Sequence, residues 1–255
     1  MTEPLLSIRD VHKGFGGFKA VDGISFNVPR GSISGLIGPN GAGKTTLFNI
    51  ISGLYETDAG EVTLDGELLT GKAPHQVFGS GLARTFQIPR PFPAMTVLEN
   101  LMIVPRPQAG ETFWNNWIRP ATVKTQEEEL RAKAEEVLAF CNLTQVAGSE
   151  AQNLSGGQHK LLELARILMA DPKIILLDEP AAGVNPTLMR ELVDRILELN
   201  EQGYTFLIIE HNMDVVMSVC DPIFVMAQGR LLYQGNAAGV RSDASVLDAY
   251  LGETI

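Results

Sequence analysis

The sequence predicts an α/β fold built on a mostly parallel sheet, and three observations carry that prediction. From residue 174 onward short apolar runs alternate with helical segments: 174–177 and 204–209 read as strands, 186–200 and 212–219 as helices. Near the start, a largely apolar strand at 32–37 runs into a glycine-rich turn and then a helix at about 44–52, with Gly53 placed to end it. Between these two regions, from about 88 to 170, the texture changes to helix and irregular chain, which reads as a lobe inserted into the sheet protein.

The remaining elements follow in order. Residues 5–11 and 24–28 alternate as strands, with Gly14-Phe15-Gly16-Gly17 between them as a loop. Strand-like pieces recur at 61–64 and near 81–86. Prolines at 89, 91 and 93 exclude regular helix there. Thr96 with Glu99 three residues on is the signature of a capped helix at 96–102. The stretch 105–125 is irregular and holds both tryptophans, Trp114 and Trp117. A helix is expected from about 124 to 141, its first turn carrying Glu127, Glu128 and Glu129, which suit the positive end of a helix dipole. Another begins at Ser155, with Leu161, Leu164, Ala165 and Leu168 on one face. Two final strands, 223–226 and 230–233, flank the turn Gln228-Gly229.

Bulk properties bound the function. A chain of 255 residues that is 45% hydrophobic can bury one large core or two lobes. A formal net charge of −10 argues against strong binding to a nucleic-acid backbone, which relies on clustered Lys and Arg. The two cysteines, Cys141 and Cys220, are far apart and in no metal-ligand spacing, so buried reduced thiols are expected. The first residues lack the basic region and apolar run of a signal peptide. No apolar stretch approaches the ~18 residues of a membrane span, so any link to a membrane is expected to run through a partner.

Chemistry concentrates in a few stretches. Gly38-Pro39-Asn40-Gly41-Ala42-Gly43-Lys44-Thr45 lies between a strand and a helix, the context of a phosphate-binding P-loop. Its glycines let backbone N–H groups converge on anionic oxygens, and the helix N-terminus adds its dipole. Lys44 supplies a point charge for β and γ phosphates, the Thr45 hydroxyl suits Mg²⁺, and Thr46 can reach the α phosphate. Four apolar residues then run into Asp178-Glu179. Neighbouring side chains on a strand point opposite ways, so these carboxylates suit two roles: Asp178 holding Mg²⁺, and Glu179 orienting or deprotonating a water. Ser155-Gly156-Gly157-Gln158 can be a simple capping box, yet two glycines in a first helical turn cost about 1 kcal/mol each against alanine. An anion against that backbone would account for them, and since Lys44 already supplies a complete cradle, a second anion-binding helix start suits another molecule's ATP.

With these residues in view, the chain resembles the ATP-binding subunit of an ABC transporter over nearly its whole length. The resemblance implies a P-loop NTPase core with a mostly parallel sheet, an antiparallel β part and an inserted helical lobe. It implies a nucleotide-binding core from 1–87 and 171–255 and a helical lobe from 88–170 that carries the signature segment. Two subunits then sandwich ATP and Mg²⁺, with Ser155, Gly156, Gly157, Gln158 and Asn185 acting on the nucleotide of the other chain. Phe15 is similar to the aromatic residue that stacks on adenine, with Phe18 close enough to compete. Gln87 is similar to the glutamine that meets Mg²⁺ and the attacking water, and His211 to the histidine that contacts the γ-phosphate. Two positions depart from the pattern: Asn185 stands where Asp is usual, and His159 follows the signature where a basic residue is common.

Within that family, Arg84-Thr85-Phe86-Gln87, Ala181-Ala182-Gly183-Val184-Asn185-Pro186, the tail Ala249-Tyr250-Leu251-Gly252 and the extra segment at 105–125 resemble ATP subunits of branched-chain amino acid importers. The resemblance implies a second ATP subunit, the same chain or a related one, as well as membrane permeases and, indirectly, a solute-binding protein outside the membrane. It places the chain at the cytoplasmic face of the membrane, held there by the permeases, whose coupling helix is expected to dock near Gln87 and Phe92. Urea or short-amide importers and lipopolysaccharide exporters are the neighbouring alternatives, and a soluble ABC ATPase of DNA repair or translation a more distant one. Phe113, Trp114 and Trp117 fit either a permease contact or a ring cluster pinning a loop to its own lobe.

Overall fold

A computed structural model describes residues 4–85, 91–104 and 120–251. The strand that sets up the site is β3 (Ile33–Ile37), every residue of which is buried. It sits inside a six-stranded sheet flanked by β8 (Thr205–Ile209) on one side and β9 (Ile223–Ala227) on the other, both parallel to it. Beyond β8 lie β7 (Ile174–Asp178) and then β6 (Leu82–Arg84), again parallel, while β10 (Arg230–Gly235) closes the other edge by pairing antiparallel with β9. Continuous apolar runs without alternation are what a parallel sheet buried on both faces requires, and 174–177 and 205–209 have that character. The expected α/β fold with a mostly parallel sheet is therefore present.

The antiparallel part is a four-stranded sheet ordered β2-β1-β4-β5, with β1 at Leu6–Phe15, β2 at Phe18–Val28, β4 at Ala59–Leu64 and β5 at Glu67–Leu68. The expected four-residue loop at 14–17 is shorter than its glycines suggest. Gly14 and Phe15 continue β1, pairing with Lys19 and Phe18, and Gly16-Gly17 alone makes the turn, both with positive φ. The register slips at three points along this hairpin, so the strands absorb the glycines as irregularities. Phe26 on β2 and Phe224 on β9 stack at 4.1 Å between ring centroids, and α1 (Lys44–Ile51) buries Leu47, Phe48, Ile50 and Ile51 in the same core.

The chain folds as two compact units, the first comprising residues 1–87, 172–183 and 189–255 and the second 88–171 and 184–188. Both sheets belong to the first unit, together with α1, α2 (Pro74–Gly79), α7 (Met213–Val219), α8 (Ala237–Ser242) and α9 (Ala244–Leu251). The second contains α3 (Val97–Met102), α4 (Pro120–Phe140) and α5 (Gly156–Leu168). Helix α6 (Pro186–Glu201) begins within 184–188. Thr96 and Glu99 form the expected capping box, and Leu161, Leu164, Ala165 and Leu168 are buried as their spacing predicts. Helix α4 starts at Pro120, four residues ahead of the expected 124, because proline suits a first helical turn. Asn100, fully buried, clasps the proline-rich approach: its Oδ1 accepts from Phe92 N–H at 2.8 Å and its Nδ2 donates to the Phe92 carbonyl at 3.0 Å.

Cys141 and Cys220 are both buried thiols. Burial, with a smaller contribution from the nearby Glu210 charge, pushes the Cys220 thiol up to about 12. No described helix is long and apolar enough to cross a membrane.

Candidate active site

The loop after β3 is shaped by glycines that no other residue can replace. Gly38 has φ of 149°, and a Cβ there would stand 2.0 Å from the Met226 carbonyl oxygen. Gly43 caps α1 in the left-handed conformation with φ of 99°, and its Cβ would stand 2.1 Å from the Ala20 carbonyl oxygen. Gly41 also has positive φ, in open space. The loop is pinned to β9's hairpin by Gly229 N–H donating to the Ala42 carbonyl at 3.1 Å. Lys44, at 6% exposure, folds its ammonium back to donate to the Gly38 and Pro39 carbonyls at 2.6 and 2.9 Å. Asn40 and Thr45 are exposed and Thr46 half-buried, on the turn and on the first helical residues. Backbone N–H groups of a helix start, a lysine and two hydroxyls thus lie within one short stretch, the make-up of an anion cradle.

Strand register brings the other candidates to the same edge. Leu36 on β3 is level with Ile209 on β8, and Ile209 is level with Asp178 on β7. The phosphate loop, the Asp178-Glu179 pair and His211 therefore all follow the carboxyl ends of adjacent parallel strands, where ligands bind in open α/β sheets. Asp178 is 2% exposed. Its Oδ2 accepts from Arg84 Nη2 at 2.7 Å, whereas its Oδ1 is buried with no hydrogen-bond partner among the described residues. Glu179 lies just past the end of β7, and its Oε1 is 3.0 Å from His211 Nε2. Glu179 holds φ of 51°, the left-handed region that residues with a side chain rarely adopt.

Two residues at this edge have no role assigned from the sequence: Arg84, read only as part of the 84–87 motif, and Glu210. Arg84, at the end of β6, donates through Nη2 to Asp178 and through Nη1 to Asn49 Oδ1 at 2.7 Å and Ser52 Oγ at 3.0 Å, with its guanidinium carbon 5.5 Å from the Phe48 ring centroid. One buried guanidinium thereby ties α1 to the Asp178 carboxylate. Glu210 directly follows β8 and is 4% exposed. Its Oε1 accepts from Ala181 N–H at 2.7 Å, and its Oε2 from His211 N–H at 2.9 Å and Asn212 N–H at 3.0 Å. The available signal was positional: an acidic residue directly after an apolar strand, the pattern that singled out Asp178-Glu179.

The Ser155 segment belongs to the second unit. Ser155 and Gln158 form the expected reciprocal cap, Ser155 N–H donating to Gln158 Oε1 at 2.9 Å and Gln158 N–H to Ser155 Oγ at 3.3 Å. His159 Nδ1 lies 3.0 Å from the Ser155 carbonyl oxygen. The two glycines part company. A Cβ on Gly157 would stand 2.2 Å from a Leu188 methyl, so packing within the chain accounts for that glycine. A Cβ on Gly156 would meet nothing within 4 Å, and both Ser155 and Gly156 are exposed. Asn185 caps α6, its Oδ1 accepting from Thr187 and Leu188 N–H at 3.1 and 2.9 Å.

Phe15 stands at the tip of the β1–β2 hairpin, 46% exposed and edge-on to Tyr55 at 5.6 Å, while Phe18 opposite it is 63% exposed. The strand end is held by Asp58, which accepts from Lys13 Nζ and Gly14 N–H, each at 2.7 Å; these contacts keep its carboxyl below the usual range. Phe92 is 50% exposed, with the Arg166 guanidinium carbon 5.7 Å from its ring centroid. Gln87, Phe113, Trp114 and Trp117 lie outside the described residues, as does Gly252 of the tail.

Known proteins share the sequence and fold of this chain. A sequence model of the ABC transporter family matches residues 21–182. A probable branched-chain amino acid transport ATP-binding protein, LivG, of Archaeoglobus fulgidus is 43% identical over 251 residues, spanning 97% of this chain and 95% of its own. The high-affinity branched-chain amino acid transport ATP-binding protein BraF of Pseudomonas aeruginosa is 39% identical over 254 residues, spanning 99% of this chain and all of its own. The crystal structure of an ATP-binding cassette of an ABC transporter in its ADP conformation superposes with a TM-score of 0.84 at 39% identity, covering 98% of this chain and 100% of that one. With its phosphate loop, strand-end carboxylates and fold in place, the chain belongs to the ABC transporter family, as an ATP-binding cassette ATPase.

Proposed function

We propose that this cassette hydrolyses ATP to power the import of branched-chain amino acids through membrane permeases, working as one of two cassettes that close on ATP. The observation that carries the reading is the convergence of the Lys44 loop, Asp178, Glu179 and His211 on one sheet edge, in a chain 39–43% identical to transport ATPases over nearly its whole length. The division of labour follows the two units. The first holds the nucleotide, and the second presents Ser155, Gly156, Gly157, Gln158 and Asn185 to the nucleotide of the other subunit.

Roles are assigned from chemistry. The N–H groups from Gly38 to Thr46, including those of Asn40, Gly41, Ala42 and Gly43, cradle the phosphates. Lys44 swings from the Gly38 and Pro39 carbonyls onto the β and γ oxygens, trading two neutral acceptors for charged ones. Phe15 offers an exposed ring face for adenine. Mg²⁺ would be held by Thr45, Gln87 and Asp178, and would neutralise charge on the phosphates. Asp178 fits that duty because one oxygen is pinned by Arg84 while the other is buried with no partner among the described residues, a costly arrangement for a buried oxygen. Glu179 takes the proton of the attacking water on its second carboxylate oxygen, its first being engaged by His211 Nε2 when that nitrogen carries the proton. With nucleotide bound, the His211 N–H turns from Glu179 to donate to the γ-phosphate instead, freeing both carboxylate oxygens. The exposed Ser155 hydroxyl and Gly156 N–H, at a helix start open to solvent, supply the anion site for the other chain's ATP.

Reconstitution tests the cargo. Proteoliposomes carrying the permeases of its transporter, this cassette, its cassette partner and the matching solute-binding protein should accumulate labelled leucine, isoleucine and valine only with ATP. Lys44→Ala should abolish that uptake. Uptake of urea or a short amide in place of the amino acids would overturn the proposed cargo while keeping the motor.

A further inference from the structure

Two loops carry the proposed hydrolytic pair: Glu179 opens one and His211 the other. Three links lace them together. Glu179 N–H donates to the Ile209 carbonyl at 2.9 Å, Glu179 Oε1 meets His211 Nε2 at 3.0 Å, and the buried Glu210 carboxylate spans both. Glu210 makes no ion pair among the described residues; its acceptors are met by three backbone N–H groups instead. A buried carboxylate is costly to desolvate, so its retention asks for a task that an apolar side chain could not perform. The distribution of donors names the task. One oxygen grips Ala181, two residues past the left-handed Glu179, and the other grips His211 and Asn212, the latter capping α7.

We infer that Glu210 is a positioning residue that clamps the Glu179 turn to the His211 loop, so that the carboxylate and the imidazole meet in one fixed geometry. This inference rests on the reading of Glu179 and His211 as the hydrolytic pair. A carboxylate is suited to the clamp because both of its oxygens accept. The isosteric amide has one accepting oxygen and an NH₂ group that would face N–H donors, so glutamine can hold one loop or the other but not both. The clamp also explains how Glu179 keeps a backbone conformation that its side chain disfavours: the turn is held from both sides.

The test is kinetic and is run on the full chain in its assembled transporter. Glu210→Gln should lower kcat by about tenfold or more, as small misplacements of reacting groups do, and leave the KM for ATP within about twofold. In a His211→Ala background the same substitution should lower kcat by less than about twofold, because the geometry it guards is already lost. A wild-type kcat for Glu210→Gln, or an undiminished loss in the His211→Ala background, would overturn the inference. Amide hydrogen exchange on the wild-type chain gives an independent arm that needs no variant to fold. The Ala181, His211 and Asn212 amides should be protected although they lie in loops, and free exchange at all three would contradict the clamp. If His211→Ala and Glu179→Gln both keep full ATPase activity, the hydrolytic reading fails by itself, whatever the exchange data show.

Discussion

Arg84 shows how much of this site hangs on one side chain. Its guanidinium satisfies Asp178, Asn49 and Ser52 together, with the arginine and aspartate side chains only 6% and 3% exposed. Removing one partner of a buried pair leaves the other charge unmet, which typically costs about 3–5 kcal/mol. Arg84→Met should therefore lower stability by that order in urea titration of the isolated chain. It should do so far more than Arg131→Met, which breaks an exposed pair on α4 worth well under about 1 kcal/mol. Equal, small losses for the two would mean that the Arg84 network is not holding Asp178. At this scale the proposed reacting groups were legible in the sequence and their supports were not. Lys44, Asp178 and Glu179 were visible because their spacing is tied to a strand end or a glycine loop, and His211 only through the family resemblance. Arg84 and Glu210 were not, because their work is to bond groups brought close only by β6, β7 and β8 lying side by side.

At the scale of elements, periodicity and caps located most of the strands and helices, and the misses have causes. Helix α2 was overlooked because it is six residues long, is capped by Ala73 rather than a hydroxyl or amide residue, and buries only Val77. Helices α8 and α9 are short and follow a strand edge, where the apolar pattern is thin. The hairpin at 14–17 misled because glycines are read as loop, yet Gly14 sits within a paired strand. The signature helix is the most instructive case. Its capping box was legible, but its two glycines do not stand alike: Gly157 is accounted for by Leu188, whereas Gly156 faces open space. Gly157→Ala should accordingly lose, to the contact with Leu188, much of the about 1 kcal/mol that alanine otherwise gains over glycine in a helix. Leu188→Ala in the same chain should recover part of that loss, measured as a double-mutant cycle in urea. Strictly additive losses would show that Leu188 is not the obstacle.

For the whole molecule, the open question is what the exposed Ser155 segment faces. The chain's net charge of −10 works against a nucleic-acid backbone there. Its own phosphate loop already has lysine, hydroxyls and a helix start. We propose that the segment is half of a site completed by Lys44 and Glu179 of another cassette. The most direct test is gel filtration with light scattering of the Glu179→Gln chain, alone and mixed with the second cassette of its transporter, with and without Mg-ATP. Blocking hydrolysis while sparing binding should trap a species of about twice the 27.7 kDa chain mass in Mg-ATP only. Ser155→Arg added to it should return the monomer while each chain still binds ATP. A monomeric profile in Mg-ATP under both conditions would contradict the account.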